Sequence, residues 1–186
     1  MASIQTLSDA DRRVLARWAA ACAERVLPLF DADAGAVREI RDAVERTRRY
    51  SHGESSAADE IGKRMVAVKA AKAATTPAGA AAARSVAQAA AVAHMGAHAL
   101  GAAAYATKAV SLASGGRPGA VAEEIRWQLG QLSDRERAAL RLLPPLGADS
   151  FGPLCEGLLS RGILGATIRE IQLDVGSTPT LTPGVA

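Results

Sequence analysis

Residues 85–107 read SVAQAAAVAHMGAHALGAAAYAT, 23 consecutive residues between Arg84 and Lys108 without one formally charged side chain. A chain folding in water rarely commits that much length to uncharged residues unless the stretch is buried. Alanine is the best helix former and brings little to a strand. The run therefore reads as the central helical element of an all-α fold. It also holds two of the three histidines, His94 and His98, one helical turn apart. An imidazole buried there needs a hydrogen bond, a metal or a catalytic role, because an unpaired buried polar group is costly.

The run is long enough to span a bilayer. Gln88, His94 and His98 oppose that, and Val86, Val92, Met95 and Leu100 are nearly all the strongly apolar residues it has. Alanine and glycine drive insertion weakly. A buried core helix is the better reading, with no membrane partner.

Outward from the run, 186 residues suit one domain or one domain with an appendage, and can bury a real core. Hydrophobic residues make up 49% and aromatics only 3%, so the helices should approach one another closely over alanine. Twenty-two basic against 19 acidic residues leave a net charge of +3. With so few aromatics there is no stacking platform among basic residues, and nucleic-acid binding is not expected. MASIQTLSDADRR lacks a basic segment followed by an apolar one, so no signal peptide is expected and the reading is cytoplasmic. Cys22 and Cys155 lack metal-ligand spacing and read as buried free thiols, a disulfide between them staying open.

Ser8 with Asp11 caps a first helix that lines up Val14, Leu15, Trp18, Cys22, Val26 and Leu29, ending near Pro28. The second, about 35–50, turns Val37, Ile40 and Val44 inward and pairs charges outward, Arg46 among them. After the loop 51–56, a third runs to about Ala74 with Ile61, Met65 and Val68 inward. Thr76-Pro77 restarts the helical pattern, which persists to about Ala113. Gly96 and Gly101 leave open an interruption near Met95-Gly96, which would make two helices of it. The loop 114–119 ends it, and a helix over 120–132 follows. Beyond Ser133 come a short helix, the Pro144-Pro145 break, and a further helix over 151–161. EIQLDV alternates in the manner of a short strand over 170–175, although a frayed helix or coil fits as well. The last eleven residues should be disordered. The expected plan is one bundle of about six to eight helices over 1–132, an extension over 133–174 and a tail over 175–186.

On a continuous helix His94, His98, Gly101, Tyr105 and Lys108 would share one face. Imidazoles at i and i+4 can ligate a metal together. The metalloprotease version places Glu after the first histidine, where Met95 stands, and no third ligand sits at recognisable spacing. No metal and no cofactor are expected. A half-buried histidine beside Tyr105 and Lys108 could move protons, but no nucleophile elbow or phosphate loop accompanies it. Small residues at 93, 97, 101 and 104 permit close helix packing, or else room for a flat ligand.

WAAACAERVLPLF (18–30), AVAHMGAHALGAAAYATKAV (91–110) and EEIRWQL (123–129), in that order, resemble the immunity proteins of bacterial polymorphic toxin systems. The likeness is to their type-five-like helical domain and covers roughly residues 8–132. Its most specific residues are His94, His98, Gly101 and Tyr105, with Trp18, Glu24, Arg126, Trp127 and Gln128. The resemblance implies a small cytoplasmic helical protein that binds and neutralises a toxin. It adds Trp18, Arg126 and Trp127 to His94, His98, Tyr105 and Lys108 as candidate binding residues. A non-enzymatic binding protein is the leading expectation. A small-molecule binder or small enzyme with a pocket at His94, His98 and Tyr105 is the alternative, and a homo-oligomer through the small-residue face a third.

Overall fold

Among the residues described by the computed structural model, 3–63 and 65–177, every regular element is a helix. The first long one, α1 (Asp9–Val26), starts where expected. Ser8 Oγ accepts from the Asp11 backbone N–H at 3.1 Å, filling one of the open donors of the first turn. Leu15, Trp18, Cys22 and Val26, at three- and four-residue steps, are at most 1% exposed. Pro28 ends α1 in a single 3-10 turn, Leu27–Leu29. The second helix, α2 (Ala34–Ser51), is capped by Asp33 and buries Ile40 and Val44.

Arg46 departs from the outward face assigned to it. It is buried, lies 3.4 Å from the buried Glu60 carboxylate and also pairs with Asp42. Glu60 sits on α3 (Ala57–Lys63), so the pair ties α2 to α3. The expected third helix arrives in pieces, α3, α4 (Met65–Ala70) and a 3-10 turn at Ala71–Ala73. Its inward residues also change: Met65 and Val68 are exposed, while Ala67 and Ala70 are buried. Close packing on an alanine-rich neighbour favours the smaller side chains.

Thr76-Pro77 opens α5 (Pro77–Ala91), Thr76 Oγ1 accepting from Gly79 N at 3.0 Å. The uncharged run is two helices, as the interruption allowed. A turn over 92–97 separates α5 from α6 (His98–Ala113). The two lie antiparallel, since Ser85 Oγ donates to the Ala102 carbonyl at 2.8 Å while Gln88 meets His98. Ala93, Ala97, Gly101 and Ala104 are all buried within the chain. The face proposed for self-association is thus consumed by internal packing. No helix among the described residues is long and apolar enough to cross a membrane.

The helix α7 (Ala120–Gly130) follows the 114–119 loop. A reciprocal Ser133–Glu136 capping box then opens α8 (Asp134–Arg141). Residues 151–161 do not make the expected helix. Gly152 at φ +84°, Pro153 and Gly157 break it into turns, with one 3-10 turn at Leu158–Ser160. The 170–175 segment is helix, not strand: it belongs to α9 (Gly162–Gly176). Leu164, Ile168, Ile171 and Val175 form its buried stripe, and Leu173 is 73% exposed on the other side. The apparent alternation came from a window too short to show the helical spacing back to Leu164. Beyond Ser133 the chain shares the main core, with Leu140, Leu154, Ile168 and Ile171 in one apolar cluster with Trp18 and Leu100. The expected tail of 175–186 begins as helix, Val175 and Gly176 closing α9 with Val175 buried, and from residue 178 onward it lies outside the described residues.

Candidate functional site

The turn between α5 and α6 is held by the N-terminal segment. Gly96 N donates to the Thr6 carbonyl and Ala97 N to the Gln5 carbonyl, each at 3.1 Å. The Gln5 side chain, fully buried, reaches the opposite way. Its amide nitrogen donates to Asp149 Oδ2 at 2.6 Å and to the Phe151 carbonyl at 2.8 Å, and its oxygen accepts from Leu154 N at 3.0 Å. One glutamine thereby clamps the 149–154 loop against the histidine turn. Gly152 leaves it room, since a Cβ there would stand 2.7 Å from the Gln5 oxygen.

Between the turn and the loop lies a cavity of about 390 Å³. His94, His98, Gln88 and Tyr105 line one side of it, and Cys155, Leu158 and Leu159 the other. His98, the first residue of α6, places Nδ1 2.8 Å from Gln88 Oε1, so the imidazole donates from Nδ1 to the amide oxygen. Gly101 makes that possible: a Cβ there would sit 2.4 Å from Gln88 Oε1 and 3.2 Å from Leu159 Cδ1. Tyr105 is 3% exposed, and its hydroxyl has no hydrogen-bond partner among the described residues. Burial pushes its phenol up, opposed by the Arg84 guanidinium, whose carbon lies 6.0 Å from the ring centroid. The hydroxyl thus stays a proton donor at neutral pH.

Two sequence expectations change here. His94 lies in the turn, not on a helix shared with His98, and is exposed rather than buried. Lys108 is half-buried, one turn beyond Tyr105, and does not line the cavity. Among the described residues no group of three or more His, Cys, Asp or Glu is placed to hold a metal. Gln5, Gln88 and Cys155 were not singled out for the site. Gln88 carried the one available signal, an amide standing alone in an uncharged run.

Trp18, Arg126 and Trp127 lie apart from this cavity. The Trp18 indole N–H donates to the Gln128 carbonyl at 2.9 Å, and Gln128 Nε2 donates to Glu124 Oε1 at 2.9 Å and the Ala103 carbonyl at 3.1 Å. Arg25 Nε donates to Glu124 Oε2 at 2.7 Å, with the guanidinium 4.2 Å above the Trp127 ring. The network locks α1, α6 and α7 together, while Arg126 is exposed on α7. Cys22 is buried beside it. Burial pushes its thiol well up, and the Glu124 and Glu136 carboxylates add to the shift. Both cysteines are free.

A larger cavity, about 640 Å³, lies between α8 and α9. Its two arginines are already engaged, Arg141 with the Val175 carbonyl and Arg169 with the Ser160 carbonyl, and the rest of its wall is mostly apolar. It brings no convergent polar chemistry, so the histidine cavity remains the candidate.

No curated protein and no solved structure matches the chain. The family described as "Imm-5 like putative immunity protein" does match, over residues 5–135, which is 131 of the 186.

Proposed function

The chain belongs to the Imm-5-like immunity protein family, and from that premise we propose that it is a binding protein that neutralises a protein toxin by covering it. The family match carries this reading, because it spans the whole of α1–α7 and includes both the closed Trp18 network and the histidine turn. Two further features support it. The scaffold is internally tied, by Gln5 at one end and by Gln128 and Glu124 at the other, so little order has to be gained on binding. The cavity also collects hydrogen-bonding groups, the Gln88 amide, the His98 imidazole and the Tyr105 hydroxyl, against an apolar wall. That wall comes from residues 152–159, beyond the matched span, so the extension supplies part of the proposed binding surface.

Production of the full chain together with the toxin encoded beside it in its native host tests the reading. Host cells should survive the toxin only when the chain is present, and the two proteins should purify together. Survival without the chain, or a toxin that never accompanies it, would overturn the proposal.

A further inference from the structure

From Ile61 to Ala122 the sequence contains no aspartate or glutamate, while seven Lys or Arg fall within those 62 residues. The whole chain carries +3, so the remaining residues sum to −4 (3 − 7). This asymmetry is laid out in space. Arg117 is paired with Glu123 at 2.7 Å, and Lys63 stands near Asp59. Lys69, Lys72 and Arg84 are exposed and have no ion-pair partner among the described residues.

Lys72 and Arg84 wall a notch of about 290 Å³ between α4 and α5, together with Val68, Gln88 and Tyr105. Gln88 and Tyr105 are also walls of the His98 cavity, so the notch and the cavity meet at these two side chains. Tyr105 is 3% exposed as a residue, and its hydroxyl, without a hydrogen-bond partner among the described residues, is not sealed in the core but opens to these cavities. Met65 and Val68, 49% and 40% exposed, leave apolar surface on α4 beside the cations.

We propose that this α4–α5 notch is where the toxin docks, and that the segment it receives is acidic, with carboxylates flanking an apolar side chain. The proposal rests on the immunity reading and names the partner's chemistry. Lys72 and Arg84 pair with the carboxylates, the Tyr105 hydroxyl donates to a carboxylate or carbonyl oxygen, and Val68 and Met65 cover the apolar side chain. Tyrosine and arginine at a desolvated centre are the residue types that dominate binding energy at protein interfaces. A nucleic acid fits less well. A backbone reader needs an extended cation array, and a single-strand reader needs exposed aromatic faces, whereas the Tyr105 ring is buried.

The full chain is tested with three probes, a synthetic peptide of Glu-Leu-Glu-Glu repeats, its Gln-Leu-Gln-Gln counterpart, and a single-stranded DNA of matched charge. Carbodiimide coupling followed by mass spectrometry should map the acidic peptide to Lys69 and Lys72. K72E/R84E should weaken its binding about tenfold or more, with higher salt doing the same to the unaltered protein. Tyr105→Phe should weaken it about twofold to fivefold. R38E/R49E on α2 should bind unchanged, and circular dichroism of every variant should match the parent. The single variant K72E, at an exposed site, serves if the double variant misfolds.

Cross-links scattered over the surface, or equal binding by K72E, would overturn the proposal. So would tighter binding of the DNA at the same lysines, which would make this a phosphate surface. A toxin that binds K72E/R84E as well as the parent overturns the notch and leaves the immunity reading standing. Peptide coupling at Lys72 with no toxin bound by the parent overturns the immunity reading alone.

Discussion

The two ends of the α1–α6–α7 packing are built from the same kinds of residue and finished differently. At one end Trp18, Gln128, Glu124 and Arg25 pass hydrogen bonds from one to the next, and Cys22 is sealed beside them. At the other, the Gln88–His98 pair faces a cavity, Tyr105 has no partner for its hydroxyl, and Cys155 lines the far wall. A buried polar network is stabilising only when its members are satisfied. The closed end follows that rule except at Gln128 Oε1, which is buried without a partner among the described residues. The open end differs in that its unpartnered group, the Tyr105 hydroxyl, opens to a cavity, where a bound partner can reach it. The resemblance-bearing residues thus divide into Trp18, Trp127 and Gln128, which hold the fold, and His98, Gly101 and Tyr105, which shape a surface.

The largest expected contrast is between the two thiols. Cys155 should react with a disulfide reagent in the folded protein, while Cys22 waits for unfolding and labels at least about a thousandfold more slowly. Cys155→Ser should delete the fast phase only. Two phases of similar rate would mean that the Trp18 end is not sealed. Trp18→Ala should then cost about 3–5 kcal/mol in urea unfolding, because it empties a fully buried site and removes the indole hydrogen bond to the Gln128 carbonyl, which keeps only the Gln131 N–H. A loss no greater than that of a change at His98 would erase the distinction between the ends.

Much of the closed end was readable from local spacing. The α1 stripe, the Ser8 cap, the Thr76-Pro77 restart and the break at 114–119 each follow from residues within a turn or two of one another. The open end was not, because distant residues build it. The turn that exposes His94 is held by carbonyls of Thr6 and Gln5, about ninety residues away in sequence. The cavity's far wall comes from a loop whose glycines and proline defeated the helix expected there. Arg46 turned inward for a similar reason: its buried partner, Glu60, lies on the next helix, and an i,i+4 pattern on α2 points only to Asp42.

Gly101→Ala probes how the open end is shaped. Alanine in a helix interior gains about 0.5–1 kcal/mol over glycine. Here its Cβ would collide with the Gln88 oxygen at 2.4 Å, so the Gln88 amide must leave His98. A net loss of about 1–2 kcal/mol is expected, with a shift of the His98 imidazole resonances. Stabilisation with unmoved resonances would show that Gln88 has another place to go. His98→Ala should cost less than Trp18→Ala, about 0.5–1.5 kcal/mol for the hydrogen bond to Gln88, which is left beside a cavity that water can enter. Global unfolding of this variant would assign His98 to the scaffold.

Tyr105→Phe should have the smallest effect on stability, within about 0.5 kcal/mol in either direction. No hydrogen bond within the described residues is lost, because the hydroxyl makes none there. The ring keeps its burial, and Arg84 keeps an aromatic face 6.0 Å away. A loss above about 1.5 kcal/mol would mean that the hydroxyl is satisfied inside the protein. Then the contrast between the ends would fail at the residue that best expresses it. If stability holds while partner binding weakens, the hydroxyl's missing partner is supplied by whatever the protein binds.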